Sequence, residues 1–483
     1  MLAMTNLAQV HAMLPGSQLV NISKAEAEAL KLSRVGTDSR QIDQHELFVA
    51  LSGEHFDAHA FLKDVAKAGA SAALISKVEQ CPENLPAVCV ENTRLGLGHL
   101  AKAWRANFDI PVALVTGSNG KTTVKEMIAS IFKAAVGEDC ALVTKGNLNN
   151  EIGLPLTLLR LRSTDQLAVI ELGMNHPGET AQLAQIAQAN IALINNAQRE
   201  HQEFMTSVAA VAQEHATVLA ALPEDGVAVF PADSEFSAVW RKAADGRRIM
   251  DFMLLSVPSD VKASVSGQVL PNGHVQIQTA QGSTEVQLQT LGSHNVRNAL
   301  AATAVALSAG VSLAKIKEGL ESFSPVNGRM QVKTLSAAHT LIDDTYNANP
   351  DSVRAAIDAL KQSGNLSWLI LGDMGEVGNQ GRAFHYEVGA YAAEQGVEKL
   401  FALGEQSEEA VRGFEETKKK LSLTSSAEHF TEVGDLNLKL ANALQAHQGH
   451  PTSEKLNILV KGSRFMRMER VVQALLEGAK TCS

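Results

Sequence analysis

The chain runs to 483 residues, 45% of them hydrophobic, with a formal net charge of −10; at roughly 100–200 residues per domain, three domains are expected. An acidic balance with no long basic run argues against a general nucleic-acid binder, whose affinity rests on Lys and Arg neutralising phosphates, although a small anionic ligand needs only local basic groups. Cys81, Cys89, Cys140 and Cys482 form no CxxC pair, residues 1–20 lack a signal-peptide pattern, and no apolar run is long enough to span a bilayer, so the expectation is a soluble cytoplasmic protein with reduced thiols and no stable membrane insertion.

In chain order, residues 1–90 carry short β-rich runs at 47–51, 72–75 and 88–90. The polar stretch Thr37-Asp38-Ser39-Arg40 lies in a loop between such runs. A linker helix is expected within 91–110, from about Arg94 to Asn107. Residues 111–325 open with the buried-strand run 112–115, a Gly-rich loop, and a helix whose Val124, Met127, Ile128, Ile131 and Phe132 recur at helical spacing. Further apolar runs stand at 167–172, 191–194 and 227–230, which predicts a mostly parallel sheet covered on both faces. Residues 261–290 instead alternate apolar and polar, and Pro271-Asn272-Gly273 marks a hairpin in a small antiparallel patch. Residues 326–483 alternate again, with strands expected at 341–342, 368–371, 400–403 and 458–460. The fold expected is α/β in three domains: a central doubly wound sheet carrying a phosphate loop, and a C-terminal Rossmann-like domain.

The strongest chemical signal is Thr116-Gly117-Ser118-Asn119-Gly120-Lys121-Thr122-Thr123, set after a strand and before a helix. Glycines let backbone N–H groups approach phosphate oxygens, and a helix N-terminus favours negative charge. Lys121 offers a point charge to β/γ-phosphates, and Thr122 is the natural Mg²⁺ ligand. The full GxxxxGK[ST] spacing is not met, because Val115 holds the early Gly position. The bland alternative is an ordinary strand–helix turn.

Glu171 ends the run 167–170, where ligands of open α/β sheets gather, and a carboxylate there can hold Mg²⁺; otherwise it is a solvated strand end. His201 follows the run 191–194 and is either a partner of metal or phosphate or a plain surface histidine. His294, Asn295 and Asn298 open an Ala-rich helix and either reach a nucleotide base or sugar or cap that helix. Arg329, then 343–350, 372–376 and 461–464 should converge on one sheet edge. Their Asp, Asn and basic side chains suit a zwitterionic substrate, with turn chemistry as the alternative.

Taken together these stretches resemble the Mur ligases of bacterial cell-wall synthesis, over essentially the whole chain and in the expected order. The loop 116–123 matches the family's phosphate loop. The motifs at 146–153, 344–350 and 372–376 point, within the family, to a member that joins D-alanyl-D-alanine to UDP-N-acetylmuramoyl-tripeptide. Siblings that add other residues typically carry His-containing motifs where Tyr346-Asn347-Ala348-Asn349-Pro350 stands here.

The resemblance implies that residues 1–90 bind the UDP portion through Asp38, Ser39 and Arg40. It implies that 111–325 bind ATP, and that 326–483 bind the amine and close over the nucleotide. Lys121, Glu171 and His201 would be catalytic, with Thr122, Glu171 and His201 at Mg²⁺. Gly117, Ser118, Asn119, Gly120, Lys121, Thr122, Thr123, Asn295, Asn298, Arg329 and Asp344 would hold ATP. Asn149 and Asn150 would lie near the activated carboxylate, and Tyr346, Asn347, Asn349 and Lys461 at the dipeptide. A probable monomer is implied.

One departure stands out. Many Mur ligases carry, downstream of the His201 motif, a lysine that is carbamylated and serves a second magnesium. No Lys or Arg occurs here between Arg199 and Arg241, so Glu214, His215 or water must substitute, or the metal is held differently. Rival readings are a folylpolyglutamate synthetase-like ligase, which lacks such a first domain, and a nucleotide-dependent regulatory switch or small-molecule kinase, neither of which makes an amide.

Overall fold

The computed structural model describes residues 4–53, 56–200, 203–255, 262–362, 364–448 and 455–481. At its centre six parallel strands run in the order Arg248–Ile249, Val227–Val229, Ile191–Ile194, Val112–Thr116, Leu167–Glu171, Ala141–Val143. Val112–Thr116 is buried along its whole length, as an uninterrupted apolar run in a parallel sheet requires. From it the chain passes to the Ala141–Val143 edge, returns to Leu167–Glu171, then crosses to Ile191–Ile194. Strand order therefore reverses about Val112–Thr116, and its carboxyl end is the topological switch point where such sheets bind ligands.

One face of this sheet is covered by the helices Lys121–Val136, Ser293–Ser308 and Leu313–Ser322 through a single core containing Met127, Ile131, Phe132, Leu300 and Ile316. The last helix approaches so closely that a Cβ on Gly319 would sit 2.3 Å from Ile131 Cα. On the other face, Leu97, Leu100 and Trp104 of the helix Thr93–Arg105 join residues of both the central sheet and the first one in one core. The segment expected as a linker helix is thus a packing element wedged between two sheets.

The first sheet has five strands, ordered Gln18–Val20, Ala87–Cys89, Ala72–Ile75, Glu46–Val49, Arg34–Gly36, parallel except at the Gln18–Val20 edge. The alternating stretch forms the expected antiparallel hairpin, Val265–Val269 with Val275–Thr279, extended by Gly282–Val286 and, in parallel, by Phe252–Leu254. The C-terminal sheet is six-stranded: Gln331–Thr334, His339–Asp344, Leu456–Lys461, Leu366–Gly372, Lys399–Leu403, Ser426–Phe430, with only the first strand antiparallel. Its two faces bury separate cores, one around Ile342, Leu369 and Phe414, the other around Trp368, Ile458 and Leu440. This is the three-domain α/β architecture, doubly wound in its central and C-terminal parts. Among the described residues no helix is long and apolar enough to cross a membrane.

Candidate active site at the phosphate loop

The loop after Val112–Thr116 turns on two glycines. Gly117 has φ 135° and Gly120 φ 80°, backbone conformations that favour glycine. A Cβ on Gly117 would also meet Asn195 Cβ and Asn196 N at 3.0 Å. Gly120 is the N-cap of Lys121–Val136 and no side chain caps that helix, so its first N–H groups are left for a ligand. They face a cavity of about 590 Å³ lined by Ser118 to Thr123 from the central domain and by Arg329, Asp344, Tyr346, Asn347, Asn349 and Lys461 from the C-terminal one. The sequence motifs that were expected to converge do so here.

Glu171 is almost wholly buried at the end of its strand. Its Oε1 accepts hydrogen bonds from Asn149 Nδ2 (2.8 Å) and Thr122 Oγ1 (3.2 Å), whereas Oε2 accepts none. A buried carboxylate oxygen without a donor, beside a threonine hydroxyl and a phosphate loop, is a hard-oxygen donor set that fits Mg²⁺. Among the described residues no three His, Cys, Asp or Glu side chains form a ready-made metal cluster. His201 falls outside the described residues.

Lys121 Nζ rests on the carbonyls of Gly117 and Ser118 and lies 3.4 Å from Glu200 Oε2. Glu200 Oε1 is 2.9 Å from His215 Nε2, and His215 Nδ1 is 3.1 Å from Thr116 Oγ1. A carboxylate only accepts, so His215 donates from Nε2 to Glu200. The phosphate-loop lysine is thereby tied, through a buried chain of side chains, to the strand from which the loop springs.

From the C-terminal domain, Arg329 Nη2 donates to Thr122 Oγ1 (3.0 Å), and its guanidinium lies over the Tyr346 ring at 4.0 Å. Tyr346 therefore supports Arg329. Asn349 accepts the Ser352 N–H (2.8 Å) at the start of Pro350–Gln362, an N-cap followed by Pro at the first helical position. The same side chain donates to Asn119 Oδ1 at 2.9 Å. Lys461 is paired with Asp344 and donates to Asn347 O at 2.9 Å.

The remaining candidates lie around this cavity or beyond it. Asn150 does not line the cavity; its Oδ1 accepts the N–H of Gly153 (2.9 Å) and starts the short helix Gly153–Leu158. Asn295 and Asn298 line the phosphate-loop cavity, do not cap their helix, and have their amides engaged by neighbouring side chains. Asn298 Nδ2 donates to Asn295 Oδ1 (3.1 Å), and Asn298 Oδ1 accepts from Asn195 Nδ2 (2.9 Å), behind Gly120. Asp38, Ser39 and Arg40 lie away from the phosphate loop. The exposed Arg40 side chain bonds Asp38 at 2.8 and 2.9 Å, holding that carboxyl down at about 2. Asp38 borders a second cavity of about 420 Å³ that also takes in Arg34, Lys145, Arg160 and Arg162.

Comparison with known proteins agrees with this geometry. The Mur ligase middle domain family matches residues 115–306, and the Mur ligase glutamate ligase domain family matches 328–464. The UDP-N-acetylmuramoyl-tripeptide--D-alanyl-D-alanine ligase of Escherichia coli K12 is 37% identical, over 96% of this chain and 99% of its own. The Haemophilus influenzae protein of the same name is 38% identical over 96% and 98%. The chain belongs to the Mur ligase family. A crystal structure of MurF from Acinetobacter baumannii, 34% identical, superposes with a TM-score of 0.86 over 98% of this chain and 99% of that one. As a Mur ligase the chain is an ATP-dependent enzyme that forms an amide.

For a Mur ligase without a lysine in 211–217, the fate of Glu214 and His215 matters. Glu214 Oε1 accepts the N–H groups of Gly178 (3.0 Å) and Thr180 (3.2 Å), capping the helix Glu179–Ala187. His215 reaches the active-site side through Glu200. The residues that sequence reasoning missed sit on one loop, 195–200. Asn196 Oδ1 accepts the Asn119 N–H (2.8 Å), Gln198 Oε1 accepts from Asn119 Nδ2 (2.7 Å), and Glu200 holds Lys121. The signal was available: Asn195 and Asn196 follow directly on the strand beside Val112–Thr116, at the sheet's switch point.

Proposed function

We propose that this Mur ligase joins D-alanyl-D-alanine to UDP-N-acetylmuramoyl-tripeptide through an acyl phosphate, with ATP and Mg²⁺, in cytoplasmic peptidoglycan precursor synthesis. The observation that carries the reading is the convergence of Arg329, Asp344, Asn349 and Lys461 on the phosphate-loop cavity. Phosphoryl transfer and amide formation need a nucleotide site and an amine site that share one enclosed space. Residues 1–90 take the UDP portion, 111–325 the ATP and 326–483 the dipeptide.

The tripeptide's terminal carboxylate oxygen attacks the γ-phosphorus, ADP departs, and an acyl phosphate forms. The dipeptide's neutral amine then attacks the carbonyl carbon, phosphate leaves, and the amine nitrogen loses a proton. Lys121 moves from the carbonyls of its own loop to the phosphates, and the uncapped helix N-terminus adds its N–H groups. Thr122 and Glu171 would hold Mg²⁺, which would supply charge neutralisation at the phosphates. Asn149, fixed on Glu171, presents its amide to the carboxylate being activated. Arg329 and Asp344 reach the ATP from the C-terminal domain, Asn347, Asn349 and Lys461 take the zwitterionic dipeptide, and contact between the two domains excludes water from the acyl phosphate.

The test is phosphate release from ATP/Mg²⁺ with the UDP-tripeptide and the dipeptide supplied singly and together, with product mass checked. One UDP-pentapeptide per phosphate, only when both are present, is the expected result. Release that ignores the amine, or that yields no amide, sinks the reading.

A further inference from the structure

Between Gln198 and Glu200, both engaged with the phosphate loop, Arg199 turns the other way. Its backbone N–H donates to Asp351 Oδ2 at 2.8 Å, and its guanidinium reaches Asp351 Oδ1 (2.6 Å from Nη2) and both oxygens of Glu387 (2.7 and 3.0 Å). Asp351 lies in the first turn of Pro350–Gln362 and Glu387 in Gly381–Glu394, both helices of the C-terminal domain. The guanidinium also stands 5.2 Å from the centre of the Phe384 ring. Arg354 completes the cluster by donating to Glu387 Oε1 at 3.0 Å. Two cations and two anions thus close on one another across the domain boundary.

We propose that Arg199 is a positioning residue that latches the C-terminal domain to the loop 195–200, so that docking of that domain and the shape of the phosphate loop become one event. A forked guanidinium bonded to two carboxylates fixes direction as well as distance. With its donors committed to Asp351 and Glu387, Arg199 is not a group held open for a triphosphate, although it borders the same cavity. Its chain neighbours transmit the grip: Gln198 N–H donates to Ser118 Oγ at 2.9 Å, and Glu200 holds Lys121. Two further cross-domain bonds among the described residues, Arg329 to Thr122 and Asn349 to Asn119, involve phosphate-loop side chains that a bound nucleotide would re-engage. The Arg199 cluster is made by side chains outside that loop. This inference rests on the two-domain reaction proposed above.

The test uses the full-length enzyme and the variants Arg199→Gln, Arg199→Lys, Asp351→Asn and Arg199→Gln/Asp351→Asn, each checked for folding by thermal melting. Small-angle X-ray scattering of the ligand-free proteins reads domain separation, and steady-state kinetics give kcat and the KM for ATP and for the dipeptide. The expected result is a larger radius of gyration for all four, with kcat lowered and the dipeptide KM raised together by roughly tenfold, as for other closure residues. The double variant should be no worse than Arg199→Gln, because both remove one contact. Arg199→Lys should not rescue, because an ammonium cannot bridge the two carboxylates as a fork does. Unchanged scattering, effects that multiply in the double variant, or a loss confined to the ATP KM and rescued by lysine would each overturn the latch; the last would make Arg199 a phosphate ligand. If the wild-type chain makes no amide from these substrates, the proposed function fails, while the scattering arm still decides the latch.

Discussion

Lys121 occupies the first position of its helix, with its ammonium on two loop carbonyls and close to Glu200. None of these contacts supports the core, so the side chain can leave them for a phosphate at little structural cost. Lys121→Ala should lower amide formation by about a hundredfold or more, in the range seen when one preorganised charge-stabilising group is lost, with the fold intact. Near-normal turnover in that variant would remove Lys121 from the mechanism. His215 is the opposite case, because it is wholly buried between Thr116 and Glu200. His215→Leu removes the partner of the buried Thr116 hydroxyl, worth about 1–3 kcal/mol, together with the hydrogen bond to Glu200. The variant should therefore melt markedly lower and also need more ATP to reach half-maximal rate. A melting curve like the wild type would mean that the buried chain is not coupled to the fold. The loop motif itself was plain from sequence, since glycine, lysine and threonine between a strand and a helix form a local pattern. The chain Thr116–His215–Glu200–Lys121 was not, because its members are up to 99 residues apart and only the fold brings them together.

At the scale of elements, the buried strands of the three mostly parallel sheets were legible and the edges were not. Residues 112–115, Ile191–Ile194, Ala72–Ile75 and, within Leu456–Lys461, residues 458–460 are continuous apolar runs with neighbours on both sides. Arg34–Gly36, Ala141–Val143, Gln331–Thr334 and Ser426–Phe430 are edge strands that are short or mixed in composition. An edge strand is specified by the partner it pairs with more than by its own periodicity. The turn after Leu366–Gly372 likewise takes its shape from a distant histidine. The Met374 N–H donates to His385 Nε2 at 2.9 Å, so His385 carries its proton on Nδ1, which is 2.6 Å from Gly381 O. Burial pushes the His385 pKa below its ordinary value of 6.5. In the unfolded chain this imidazole takes up a proton near pH 6.5, while in the folded chain it resists doing so. Stability is therefore fully present above about pH 6.5 and falls as pH drops through the lowered folded value. Thermal midpoints measured from pH 8 to 5 should decline below about 6.5, and His385→Gln should flatten that decline while lowering the midpoint at pH 8. An equally steep decline in the variant would assign the acid sensitivity elsewhere.

Across the whole molecule, two cavities stand at the two domain junctions. The larger one gathers side chains from the central and C-terminal domains, which on the proposed function would face ATP and the amine, while the smaller lies between the first domain and the central one. Arg162 helps hold that second junction, since its Nη2 donates to Ser33 O at 2.7 Å. Burial lowers the pKa values of Arg160 and Arg162, and both guanidiniums donate to backbone carbonyls. Lys145, by contrast, is exposed on the segment between Ala141–Val143 and the Asn149 turn, at the edge of the same cavity. A ligand anion reaching in from the UDP side would meet that ammonium before it met the committed arginines. Lys145→Ala should therefore raise the KM for the UDP-tripeptide by roughly tenfold, the scale of one charge-assisted hydrogen bond, and leave the KM for ATP and the melting temperature unchanged. Titration of UDP alone into the wild type and the variant separates the two cavities directly. Weaker UDP binding in Lys145→Ala places the nucleotide end of the acceptor between the first two domains. Equal binding would move it away from Lys145 and leave the second cavity a structural junction.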